Sequence, residues 1–206
     1  MIKKSRSYRL ATLIVSMACV LNLPARAADP VIVNVDNFVR AETAVNFDKT
    51  LALLKGEVNT FFHFREPMPL DGQSVIRSNR DTLYSGAIVD ISKGATLTIP
   101  ETNGRYVSAM VVNEDHYLNK VYHGQGTYKL TMKEFDTPYV AITIRTLVDA
   151  SNPEDVKQVK AIQDGLLIQA KSAKPYTHPD YDQASYEAAY KAVIELSRFI
   201  VSPWEG

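Results

Sequence analysis

Residues 78–86 read SNRDTLYSG, which sets an amide, a guanidinium, a carboxylate, a hydroxyl and a phenol beside an apolar run. Asp81 is placed to accept hydrogen bonds from backbone N–H groups of its own turn, and Arg77 or Arg80 could pair with it. A carboxylate near the core without such partners would be costly, so an ion pair that fixes the entry of a strand is one reading. In the other, Arg77 or Arg80 grips an anionic ligand group beside Asn79, while Asp81 and Tyr84 orient or deprotonate the ligand.

A second polar cluster is VNEDHYLNKVYHGQGTY, residues 112–128, which follows a strand-like run and reads as a loop at one end of a sheet. Asn113 opens it, and Glu114, Asp115, His116 and Tyr117 stand side by side. A carboxylate next to an imidazole raises the imidazole's pKa, so this set can form an acid–base pair. Tyr117, Tyr122 and Tyr128 could present ring faces to a sugar or another flat ligand. The bland alternative is a polar loop whose tyrosines cover the end of the sheet, although loops on rigid scaffolds often carry function.

Familiar signatures fail at specific positions. GQSVI begins like a nucleophile elbow, but Ile76 stands where the closing glycine belongs. Gly124-Gln125-Gly126 is followed by Lys129 in place of a third glycine and by a strand, which makes it a turn and not a dinucleotide site. His63, His116, His123 and His178 are scattered without metalloprotease spacing, so neither a metal nor a cofactor is expected.

Compartment follows from the start of the chain. MIKKSRSYR is basic, residues 10–23 are apolar, and Pro24-Ala25-Arg26-Ala27 supplies an A-x-A cleavage site. These are the parts of a secretory signal peptide, and the apolar run falls short of the roughly 20 residues a bilayer span needs. Residues 1–27 are therefore expected to be removed, leaving residues 28–206 as one domain in the periplasm or secreted. The one cysteine, Cys19, lies in the removed segment, with Ser16 where a lipoprotein signal needs a Leu-like residue. Without its five basic residues the mature chain keeps 18 basic against 23 acidic, a net charge of −5. That balance argues against nucleic acid or an anionic membrane surface as partner.

The elements that must position these clusters read in three parts. Asp36 and Asn37 are caps for a helix whose apolar residues Phe47, Leu51, Leu54, Val58, Phe61 and Phe62 recur at steps of three and four. LYSGAIVDI, ATLTI, RYVSAMVVN, GTYKLT and YVAITIRTLV are β-branched runs bounded by turn signals. Asn103-Gly104, between the second and third runs, predicts a tight hairpin. Asn152-Pro153 then caps a helix with Val156, Val159, Ile162, Leu166 and Leu167, and Tyr186, Ala189, Tyr190, Val193, Leu196 and Ile200 mark a last amphipathic helix. The expected class is α+β: an N-terminal helix, a central twisted antiparallel sheet, sandwich-like, and two C-terminal amphipathic helices.

FVRAET, HFREP, VIRSNRDTLYS, VNEDHY and IRTLVDASNPEDVKQVKAIQD, taken in order, resemble successive motifs of the bacterial exported family catalogued as domain of unknown function 1254. The resemblance runs from about Phe38 to about Leu167. It implies candidate status, without an established role, for Asn79, Arg80, Asp81, Tyr84, Asn113, Glu114, Asp115 and His116. Met68, Ser78 and Pro138 depart from the family pattern. Relatives usually carry a following domain of unknown function 1214, for which this sequence has no room.

The functional expectation is an exported ligand-binding or accessory module, possible half of a two-part protein. Its partners would be a separately encoded second domain or another copy of itself, and a small-molecule or sugar-like ligand. The alternative is a hydrolase-type enzyme with an Asp/His/Tyr site. The two differ in whether Arg80, Asp81 and residues 114–116 converge in one cleft.

Overall fold

A computed structural model describes residues 29–69 and 79–199. The expected signal peptide, Cys19, Arg77 and Ile200 lie outside the described residues.

The first helix, α1 (Phe38–Leu53), buries Ala41, Ala44, Phe47 and Leu51 on one face. It stops before Val58, Phe61 and Phe62, because the chain turns through positive φ at Lys55, Gly56 and Asn59. Phe62 instead belongs to a two-residue strand, β1 (Phe62–His63). Seven further strands follow: β2 (Thr82–Asp90), β3 (Ala95–Ile99), β4 (Val107–Asn113), β5 (Leu118–His123), β6 (Gly126–Leu130), β7 (Tyr139–Leu147) and β8 (Leu167–Ala170). A single helical turn, α2 (Met132–Phe135), sits between β6 and β7. The last helices are α3 (Pro153–Asp164) and α4 (Gln183–Ser197).

All strand pairs are antiparallel, in two sheets: a five-stranded one ordered β1-β2-β7-β4-β5 and a three-stranded one ordered β6-β3-β8. Their facing sides share one core. Ala87, Val89, Val107, Ala109, Val111, Val140, Ile142 and Ile144 come from the larger sheet, and Ala95, Leu97, Ile99 and Leu130 from the smaller. The other face of the larger sheet receives α1, with Phe47 and Leu51 against Ile88 and Tyr139. β2 is therefore buried on both sides along most of its length, and its stretch from Ala87 to Val89 is continuously apolar. The expected α+β class with a sandwich-like sheet is observed.

Three local expectations are corrected. Asn103-Gly104 does form a tight turn, with φ of 52° and 77° and Arg105 N donating to Thr102 O at 3.0 Å. The strands it joins do not pair, however: β3 lies between β6 and β8, whereas β4 lies between β7 and β5. The turn carries the chain from one sheet to the other and makes no hairpin. The loop of residues 112–128 contains β5, which pairs with β4 across a four-residue turn, Glu114 to Tyr117. Leu167 leaves its helix, since α3 ends at Asp164 and Leu167 pairs with Thr98 in the smaller sheet.

α3 starts as expected, with the Asn152 side chain accepting from Glu154 N and Asp155 N and proline in the first turn. Val156 and Val159 close one end of the sandwich against Leu83 and Val148. α4 reaches only α1. Tyr186 and Tyr190 pack on Phe38 with ring centroids 6.1 and 6.4 Å away, and no residue of the helix is buried.

Candidate functional site

Strand register decides whether the two polar clusters meet. Thr82, at the start of β2, lies opposite Leu147 of β7, and Asp90, at its end, lies opposite Tyr139. Asn113, at the end of β4, lies opposite Val140 of the same β7. The NEDHY turn thus sits at the Asp90 end and the NRDTLYS corner at the other, about 26 Å away along a nine-residue strand. The two do not share a cleft.

At the NEDHY end the charges are held by α1. Arg40 donates to Glu114 Oε2 at 2.8 Å and, through its other terminal nitrogen, to Asp115 Oδ1. Glu114 is 5% exposed and also accepts from Tyr139 N at 3.0 Å. Burial pushes its carboxyl above the usual carboxylate range, with Arg40 pulling the other way. The fork ties the first helix to the turn between β4 and β5, joining FVRAET to NEDHY. Asn113 forms a corner: it is buried, its Nδ2 donates to Phe135 O, and its Oδ1 accepts from Asp115 N and Tyr117 N. The expected Asp115–His116 pair does not form, because Asp115 is engaged by Arg40 and His116 turns to α1, its Nδ1 3.0 Å from Thr43 Oγ1. Thr43 already donates its proton to Val39 O, so His116 Nδ1 is the donor and Nε2 keeps a lone pair. An open depression of 610 Å³ is lined here by Arg40, Asp115, His116 and Tyr117. The Tyr122 and Tyr128 rings stack on each other at 4.3 Å, which occupies one face of each. Burial and Glu134 push the Tyr122 phenol up to about 12.

At the other end the corner is built differently from the expected ion pair. Asp81 is exposed and forms no ion pair with a described residue. Its backbone N donates to Asn79 Oδ1 at 2.8 Å, and its carbonyl accepts from Val148 N. Asn79 spends both amide protons, on Thr82 Oγ1 and on the Tyr84 hydroxyl, each at 3.0 Å. Arg80 is half-buried, and one terminal nitrogen of its guanidinium is buried without a hydrogen-bond partner, so it grips neither Asp81 nor another described carboxylate. Across the sheet, the Arg145 guanidinium lies over the Tyr84 ring at 5.5 Å.

Between this corner and the HFREP segment lies a cavity of 350 Å³. Phe64, Pro67, Met68 and Leu83 supply apolar wall; His63, Arg65, Asn79 and Tyr84 supply polar groups. Arg65 is ion-paired with Asp164 of α3 at 2.7 Å. His63 Nδ1 stands 2.8 Å from Ser85 Oγ, and the buried Gln163 of α3 reaches Phe64 O, Tyr84 O and Ser85 Oγ at 3.2–3.3 Å. Burial and the nearby Arg65 hold the His63 imidazole below its ordinary value. His63, Arg65, Ser85 and Gln163 were absent from the sequence-derived candidates. Two signals pointed to them: HFREP is one of the ordered motifs, and Gln163 interrupts the apolar face of α3 shared by Val156, Val159 and Ile162.

This geometry defines an α+β protein in which a helix-covered sheet packs on a smaller one and HFREP and NRDTLYS enclose a cavity at its end. The family model described as a protein of unknown function, DUF1254, matches residues 58–129. The matched span holds HFREP, NRDTLYS and NEDHY, which bears out the resemblance read from those motifs. The VPA0106 protein from Vibrio parahaemolyticus, a solved crystal structure, is similar in fold, with a TM-score of 0.51 at 18% identity over 72% of this chain and 41% of that one. This chain therefore spans about two-fifths of the length of that protein. No curated protein matches.

Proposed function

We propose that the chain is an exported ligand-binding or accessory module and that the cavity between HFREP and the start of β2 is its binding site. One observation carries the reading: at 350 Å³ the cavity is of the size that takes small molecules, with apolar walls and a few polar tips. The basic start, short apolar run and A-x-A site support export. The test is native mass spectrometry of the protein recovered from the periplasm of its host. A mature N-terminus at Ala28 with a co-purifying small molecule is the expected result. An intact Met1 defeats the export reading. A chain that arrives empty and gains no thermal stability from a metabolite library defeats the binding reading.

The hydrolase alternative keeps one favourable feature, the lone pair on His116 Nε2, which suits a general base. Against it stands the employment of Glu114 and Asp115 by Arg40, at the far end of β2 from Asp81, with Tyr84 about 20 Å away along the strand. Ser85 does not serve as a nucleophile in this reading, since it is 1% exposed. Activity on esters, phosphoesters or glycosides that vanishes in His116→Ala would favour the hydrolase.

A further inference from the structure

Strand register sets one cation beside the cavity. Residues directly opposite each other in a sheet point to the same face. Tyr84 lies opposite Arg145 of β7, and Phe64 N donates to Tyr84 O, so Phe64, Tyr84 and Arg145 form one row across the sheet edge. Thr82, two residues from Tyr84, shares their face, with Leu147 opposite it. Phe64, Thr82 and Tyr84 all line the cavity. α1 packs on this face farther along β2, at Ile88. At the cavity end Phe64 and Leu147 are 47% and 44% exposed, so a ligand reaches this part of the face from water.

Arg145 is held here without being neutralised. Its guanidinium carbon stands 5.5 Å from the Tyr84 ring centroid, and that ring is pinned because its hydroxyl accepts from Asn79 Nδ2. Asp155 is taken by Arg105, Asp164 by Arg65 and Glu66 by Lys160. Asp81 and Asp149, exposed at the same end, form no ion pair with Arg145. Arg80 is the other unpaired guanidinium of the corner, but it does not line the cavity and its free nitrogen is buried. A guanidinium over an aromatic ring turns its flat face to that ring and keeps its in-plane N–H groups, whose fork matches the two oxygens of a carboxylate.

Building on the binding reading above, we propose that the ligand is an amphipathic carboxylate, with its apolar body in the cavity and its carboxylate on Arg145. Tyr84 joins the two halves of the site, since it is both a wall of the cavity and the platform under the cation.

The test uses three probes of one shape, 4-phenylbutanoate, 4-phenylbutanol and 4-phenylbutylammonium, titrated into the purified chain and followed by NMR. The methyl signals of Met68 and Leu83, which line the cavity, report where the phenyl body sits. The expected result is binding of the carboxylate ahead of the alcohol and the ammonium, with both methyl signals shifting and an advantage that shrinks as salt is added. Arg145→Gln should weaken carboxylate binding about tenfold and leave the alcohol unchanged, the effect of losing hydrogen bonds to a charged group. Arg145→Lys, which keeps the charge without the planar fork, should fall between the two, and it carries the test alone if the glutamine variant does not fold. Equal binding of the three probes, or a carboxylate preference that survives both substitutions, overturns the assignment to Arg145 while leaving the cavity a binding site. Failure of all three probes to bind, or binding that leaves Met68 and Leu83 unshifted, overturns the binding reading of the cavity and the ligand class with it.

Discussion

At the scale of single residues, the groups that looked reactive divide into clamps and surface. Arg40 is a clamp, since among the described residues it alone pairs with the buried Glu114. Glu114 has its folded-state carboxyl held above the ordinary value of 4.5, mainly by burial. Such a group binds its proton more tightly folded than unfolded, so it costs stability at neutral pH, and the cost fades as pH falls towards the ordinary value. Arg40→Ala removes the opposing charge and should enlarge that cost to about 2 kcal/mol at pH 7, below the figure for a fully buried pair because Arg40 is partly exposed. Urea denaturation at pH 7, 5 and 4 should show the penalty shrinking with acid and largely absent in a Glu114→Gln background. Asp81 is surface. Asp81→Asn keeps the backbone bonds of the corner and should change stability by less than about 0.5 kcal/mol, which the same denaturation measures.

At the scale of elements, the edge of the large sheet depends on one close approach. Phe62 of β1 lies opposite Gly86 of β2, and a Cβ on Gly86 would meet the Phe62 ring at 2.4 Å. β1 has only two residues, so displacing its ring removes most of what packs it down. Gly86→Ala should destabilise by about 1–3 kcal/mol, the usual range for overpacking. In a Phe62→Ala background the same substitution should cost little, because its obstacle is gone. A double-mutant cycle on thermal or urea unfolding measures that coupling, and additive losses would show that the ring yields freely. The cavity wall depends on this packing too, since Phe64 stacks edge-on against Phe62 at 5.3 Å.

At the scale of the whole molecule, the last helix is the part left without cover. Tyr186 and Tyr190 are half-satisfied by Phe38, but Leu196 is 64% and Phe199 83% exposed, with Val193 and Ile194 beside them. The apolar stripe of this helix meets Phe38 of α1 at its first turns and is exposed beyond them. A row of large apolar side chains in water marks an association surface. Self-association, or pairing with a separately encoded domain, is accordingly the expected behaviour of the mature chain. Light scattering at micromolar concentration should read a mass above the monomer, and Leu196→Glu with Phe199→Glu should reduce scattering and ANS binding without lowering the melting temperature. A monomeric parent that binds no dye would remove this expectation.

What the sequence determined by itself is what short-range chemistry can encode. The runs that became β2, β3, β4, β6 and β7 carry β-branched residues between turn signals, and Asn152-Pro153 caps α3 as its composition dictates. The Asn103-Gly104 turn is equally local, as its two positive φ values show. Only the tertiary structure decided which strands that turn separates, because pairing is set by burial shared between distant segments. β1, β5 and β8 escaped notice for the same reason: they are short or exposed, and their pairing partners rather than their composition hold them in place. The site followed the same division. NEDHY and NRDTLYS were visible as polar runs, yet their separation along β7 is a matter of register, and the roles of Arg40, His63, Ser85 and Gln163 depend on contacts across 22 to 99 positions of chain. Long-range hydrogen bonds of that kind leave no periodicity in a sequence, since they are made only when the core has already brought the partners together.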